Sequence, residues 1–164
     1  MKRIMRTRSG PAGWTDAAGP NQRVTRTRLW VALRVMPNDA AGIVCLAVRC
    51  DRSAPLIARA ALDEIPGLDS VRDDARLVAS ELVTNAVLHS KCAPDDLIEV
   101  RAQRGEGHLL ISVHDPGDPD QTLQPKLKTD RAPGGLGLRI VHQIARRWGA
   151  ECPDGHLVWA ELAM

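Results

Sequence analysis

Three groups of residues in this chain have the types and spacing to do chemistry. Glu81 and Asn85 lie four positions apart, so on a helix they project together, one turn from each other. A carboxylate and an amide oxygen side by side can complete a magnesium shell and orient a hydroxyl or a water. The same pair is also common on the solvated face of a surface helix. The second group is Asp115-Pro116-Gly117. Alternation places Leu109, Ile111, Val113 and Asp115 on one face of a strand. A carboxylate ending an apolar face needs a donor, because an unpaired buried charge is expensive. The exocyclic amine of adenine is such a donor, and Gly117 would let the backbone pass close to a flat base. An aspartate serving only a Pro-Gly turn is the alternative. The third group is Gly134-Gly135-Leu136-Gly137-Leu138, at the mouth of a helix. Free backbone N–H groups and the positive helix end there make a seat for phosphate. It is not a P-loop, since no Gly-Lys-Ser/Thr follows. Nor is it a dinucleotide fingerprint, since a long polar loop rather than a strand precedes it.

These groups need a scaffold, and the hydrophobic periodicity supplies one. Residues 29–36 and 43–49 read as strands, with Pro37 and Asn38 opening a loop between them. A helix follows, with Ser53 as its cap and Leu56, Ala60 and Leu62–Ile65 as its apolar stripe. A second helix, 70–89, opens on Ser70 and Asp73 in a capping arrangement. It presents Val78, Ala79, Leu82, Val83 and Ala86 to the core, with Glu81 and Asn85 on the flank. Strands at 97–103 and 108–115 form a hairpin. A polar loop, 116–134, has the length of a lid. A third helix is expected over 137–148, with Leu138, Val141, Ala145 and Trp148 as core and Gly149 as its stop. Residues 156–162 make the last strand. Residues 1–28, rich in Arg, Gly, Pro and Thr, read as a flexible basic tail, leaving 29–164 as one domain.

Composition narrows the function. The chain has 164 residues, 44% hydrophobic and 26% charged, the balance of a globular protein. A net charge of +2 and 2% aromatic residues do not describe a nucleic-acid binder. Cys45, Cys50, Cys92 and Cys152 are scattered rather than clustered as zinc ligands, and read as free thiols in a reducing cytoplasm. No apolar run approaches a membrane span, and no apolar stretch follows the basic N-terminus as in a secretory leader. A cytoplasmic location is the expectation.

Taken in order, Glu-x3-Asn on a helix, Asp-x-Gly after a strand and Gly-x-Gly opening a helix resemble the N, G1 and G2 boxes of the Bergerat-fold, or histidine-kinase-like, ATPases. Ser80–His89 and Gly135–Val141 are similar to the boxes of that superfamily's bacterial anti-sigma-factor serine/threonine kinase branch. Arg147-Trp148-Gly149 and Val158–Leu162 resemble its closing helix and strand. The resemblance implies a two-layer α/β sandwich, a mostly antiparallel mixed sheet with helices on one face. It implies ATP and Mg²⁺ as cofactors, with Glu81 as catalytic base and Asn85 as the Mg²⁺ ligand. Asp115 would take the adenine amine, and Gly117, Gly134, Gly135, Gly137 and Leu138 would line the base and phosphates. Lys126, Lys128 and Arg131 of the lid could approach the phosphates. The partners implied are a small anti-sigma-factor antagonist and a sigma factor, with homodimers common in the family. A scaffold that holds nucleotide without transferring phosphate is the alternative, and a histidine kinase fragment a third reading. The chain departs from the family pattern at Leu157, where many relatives carry a threonine near the adenine. It departs again at Asp118-Pro119, where a second glycine is common.

Overall fold

The computed structural model describes residues 34–38, 41–90, 92–117, 136–151 and 155–164. Among these residues six strands form one sheet: β1 Arg34–Asn38, β2 Ala41–Arg49, β3 Leu97–Gly105, β4 His108–Asp115, β5 Arg147–Glu151 and β6 His156–Ala163. Their order is β1-β2-β3-β4-β6-β5, and each described pairing is antiparallel. Three helices, α1 Ala54–Leu62, α2 Arg72–His89 and α3 Leu136–Ile144, pack on one face. The two-layer α/β architecture is the one the sequence implies.

Alternation along each strand explains the arrangement. Val44, Leu46 and Val48 of β2, Ile98 and Val100 of β3, and Leu109, Ile111 and Val113 of β4 are all buried toward the helices. Val78, Ala79, Leu82, Val83 and Ala86 of α2 meet them, as the helical period requires. Alanine fills much of the helix surface, so the layers approach closely without any Phe or Tyr.

Four local expectations are corrected. β1 runs on through Pro37 and Asn38, which pair with Gly42 and Ala41. It is the edge strand, where a proline forfeits no ladder bond. Leu62, and Ile65 just beyond α1, are buried as expected, but Leu56 is 61% exposed and Ala60 is exposed, with Ala54, Ala58 and Ala61 buried instead. Both stripes have helical spacing, and the smaller one wins because α1 packs tightly against α2, with Arg59 Nη1 donating to Ser80 Oγ at 3.3 Å. Neither Ser53 nor Ser70 caps by its side chain. The Ser53 hydroxyl donates to Asp51 Oδ1 at 2.5 Å, and Val71 holds the N-cap of α2. Finally, α3 ends at Ile144 and Trp148 belongs to β5. The Arg146 N–H donates to the Glu161 carbonyl at 2.8 Å, drawing the chain onto β6. Trp148 still enters the core, 3% exposed, its Nε1 donating to His142 Nδ1 at 3.1 Å.

The thiols also differ from expectation. Cys50, after β2, and Cys92, after α2, are joined in a disulfide with a Cα–Cα distance of 6.3 Å. Cys45 is free, and Cys152 lies outside the described residues. The pair is 42 residues apart, so no spacing motif announces it. Cross-linking of this kind acts mainly by restricting the unfolded chain. Cys92→Ser should therefore lower the unfolding free energy of the oxidised protein by about 2–4 kcal/mol, and leave the reduced protein nearly unchanged. Urea melts with and without reductant check this.

Candidate functional site

α2 lies over β4, so the helix that carries Glu81 and Asn85 packs on the strand that ends in Asp115. Glu81 and Asn85 are half-buried on the flank of α2, beside a face whose apolar residues are all shut in the core. Glu81 leans against α3. A Cβ placed on Gly137 would stand 2.5 Å from Glu81 Oε2, a distance real Cβ atoms do not show. With glycine at 137 the carboxylate can lie against the helix start without having to swing aside. The Glu81 group and the glycine group, more than fifty residues apart in sequence, are brought into contact. Leu138 is partly buried against the same core. Gly134, Gly135, Lys126, Lys128 and Arg131 lie outside the described residues.

Asp115 occupies the last position of β4, 4% exposed, on the helix-facing side. Its Oδ1 accepts the Gly117 N–H at 2.8 Å, closing the turn that Pro116 opens. Gly117 has φ +67°, in the left-handed region. Burial pushes the Asp115 carboxyl above its usual range, while the fields of His156 and His114 and the Gly117 N–H pull it back.

His156 is the residue that sequence reasoning missed. The β4–β6 register pairs it with Asp115, and its Nδ1 stands 3.3 Å from Asp115 Oδ1. Its Nε2 is buried and has no hydrogen-bond partner among the described residues. A Cβ on Gly117 would meet the His156 ring at 3.1 Å, so that glycine also makes room for the imidazole. Leu157, expected near the base, pairs with His114 and alternates to the opposite face of the sheet. The neighbour of Asp115 on β6 is therefore an imidazole rather than a threonine hydroxyl. Only the pairing of β6 with β4, two elements removed in sequence, reveals this.

The described residues fit an adenine nucleotide. They offer a buried acceptor at a strand end, a buried ring nitrogen beside it with no partner among them, and Gly137 at the start of a helix against a carboxylate. They hold no group of three or more His, Cys, Asp or Glu placed to bind a metal. A magnesium ion would here be held by Asn85 together with the nucleotide's own phosphates, which is how this hard cation is often bound. Among the described residues, no helix is long and apolar enough to cross a membrane.

Comparison with known proteins agrees with this geometry. Residues 51–160 match the family model of the histidine kinase-like ATPase domain. No curated protein matches the chain. The match begins after β2, spans α1 through most of β6, and takes in each of the three groups, so the chain belongs to the histidine kinase-like ATPase domain family.

Proposed function

We propose that the protein binds ATP with Mg²⁺ and transfers its γ-phosphoryl group to a serine or threonine of a small regulatory protein. The observation that carries this reading is the contact of Glu81 with Gly137. It sets a carboxylate beside the helix mouth where phosphates would sit. ATP would supply the phosphoryl group and leave as ADP, and Mg²⁺ would neutralise the charge on the phosphates. Glu81 would take the proton of the attacking hydroxyl, and Asn85, one helical turn away, would hold the metal. Asp115 accepts from the adenine amine, and Gly117 gives the base a flat floor. The reading assigns the phosphates to Gly134, Gly135 and Gly137, with Leu138 packed against the core at the start of α3.

The substrate we propose is an anti-sigma-factor antagonist with an exposed serine, and the second partner a sigma factor. The likeness of Ser80–His89 to the anti-sigma-factor kinase branch supports both. Incubation with labelled ATP and candidate antagonists tests the reading. Label on an antagonist serine supports it. ATP and sigma-factor binding without transfer would instead favour a nucleotide-holding scaffold.

The metal role has its own test. Asn85 is on the flank of α2, not in its core, so truncation should spare the fold. Asn85→Ala is expected to abolish the strengthening of ATP binding by Mg²⁺. Calorimetric titration at two Mg²⁺ concentrations reads this out. A parental response would leave Asn85 a structural residue only.

A further inference from the structure

One ring nitrogen beside Asp115 has no part in the proposed transfer. On the helix-facing side of the sheet, β4 runs Leu109, Ile111, Val113, Asp115, and opposite them β6 runs Leu162, Ala160, Val158, His156. Both rows are buried and apolar until the last rung, where a carboxylate faces an imidazole. Two donors reach that carboxylate, and both reach the same oxygen. The Gly117 N–H lies 2.8 Å from Oδ1, and His156 Nδ1 lies 3.3 Å from it. The hydrogen bond from His156 is one of the influences that hold the carboxyl down against its burial. In the tautomer that donates from Nδ1, Nε2 is an acceptor. This Nε2 is buried and unpartnered among the described residues, on a side chain 5% exposed. It lies on the ring edge next to the Gly117 turn: a Cβ on Gly117 would stand 3.1 Å from Cδ2, the carbon bonded to Nε2. An apolar side chain would close this rung at no polar cost, whereas a buried acceptor without a donor is expensive. Such a nitrogen marks a place where a donor arrives.

We propose that His156 is a specificity-determining residue for the base: its Nε2 accepts the second hydrogen of the exocyclic amine whose first hydrogen goes to Asp115. This rests on the assignment of Asp115 to the adenine amine and extends it. The amine carries two N–H groups, and one carboxylate oxygen satisfies only one of them. With Oδ1 engaged by Gly117 and His156, Oδ2 would take the first. The imidazole, tied to the same carboxylate through Nδ1, would set Nε2 for the other. Two neighbouring acceptors suit an unsubstituted amine. They reject a guanine carbonyl and an alkylated amine, because each leaves a buried acceptor unpaired. The pocket would then read the number of hydrogens on the amine, not only its presence.

Calorimetry on the full chain, with ATP and with an analogue carrying one methyl on the adenine amine, tests the proposal. The parent should bind ATP about tenfold or more tightly than the analogue. Asparagine and glutamine separate the two ring nitrogens. In His156→Asn the short amide can still donate toward Asp115, but nothing reaches the place of Nε2. This variant should bind ATP about tenfold more weakly than the parent and no longer prefer it to the analogue. In His156→Gln the longer amide can supply an acceptor near that place, and the preference should survive. Equal affinities in the parent would overturn the proposal. So would a folded His156→Asn that discriminates like the parent, since His156 would then only hold Asp115 in place. These outcomes are separable from failure of the nucleotide reading. A parent that binds neither nucleotide refutes that reading itself, whereas one that binds ATP, loses affinity on Asp115→Asn and shows no preference refutes only the role of His156. Should His156→Asn not fold, nitrogen NMR of the native chain with isotope-labelled histidine decides the matter. The His156 Nε2 signal should move on addition of ATP and move less with the analogue; an unmoved signal refutes the proposal.

Discussion

Glu81→Gln is expected to bind ATP as tightly as the parent and to phosphorylate its protein partner at least about 10²-fold more slowly, the low end for loss of a general base. The substitution preserves shape, so the close contact with Gly137 remains filled. What disappears is the carboxylate proposed to receive the hydroxyl proton. Phosphoryl transfer depends above all on positioning and charge neutralisation, which the proposed reading assigns to Asn85 and the metal. Binding and transfer should therefore separate. Single-turnover transfer of labelled phosphate, beside calorimetric ATP titration, measures the two. Parental transfer would move the base to another residue. Loss of ATP binding would show that Glu81 shapes the pocket rather than the chemistry.

Asp115→Asn should weaken ATP binding by about 1–3 kcal/mol, the scale of a lost charge-assisted hydrogen bond. The parent should select ATP over GTP, since guanine presents a carbonyl where adenine presents an amine, and equal affinities would refute the role of Asp115. The same substitution should change stability in the opposite sense. Burial raises the Asp115 carboxyl in the folded chain. Its favourable contribution is therefore complete below the unfolded value and lost as pH rises through the folded one. The fields of His156, which faces the carboxyl across the β4–β6 ladder, and of His114, its neighbour along β4, moderate this fall. The amide introduced by Asp115→Asn has no charge to desolvate, so the variant should lack the fall. Urea unfolding of parent and variant from acid to neutral pH tests this. A parallel pair of curves would show that the carboxylate is fully compensated by its neighbours.

Much of this is legible in the sequence because it depends on period. The buried face of α2 and the alternation of β4 follow from residues three to four and two apart, which neighbours in the chain determine. Glu81 and Asn85 stand on the flank of α2, and Asp115 at the end of β4, for that reason. Helix α3 reads one turn too long in the sequence because Leu138, Val141, Ala145 and Trp148 satisfy a helical period while all packing in or against the core. Only the Arg146–Glu161 bond, a tertiary contact, reveals that the chain has changed to a strand. His156 beside Asp115, Gly137 against Glu81 and Cys50 bonded to Cys92 are likewise pairings across long stretches of chain. Local patterning carries no signal for them.

The disulfide bears on the speed of folding as well as on its equilibrium. β2 and β3 are neighbours in the sheet, but the chain between them contains both α1 and α2. To start that ladder an unfolded chain must close a long loop, whose entropic cost grows with the logarithm of its length. The Cys50 N–H donates to the Asp96 carbonyl at 2.9 Å, so the ladder's first rung lies four residues beyond the Cys92 cross-link. Bond and ladder close nearly the same loop. An oxidised chain begins its search with these two strands already tethered, whereas β4 and β6 must still find each other unaided. The gain from the cross-link should then appear as faster refolding when β2–β3 pairing belongs to the transition state, and as slower unfolding when that pairing comes later.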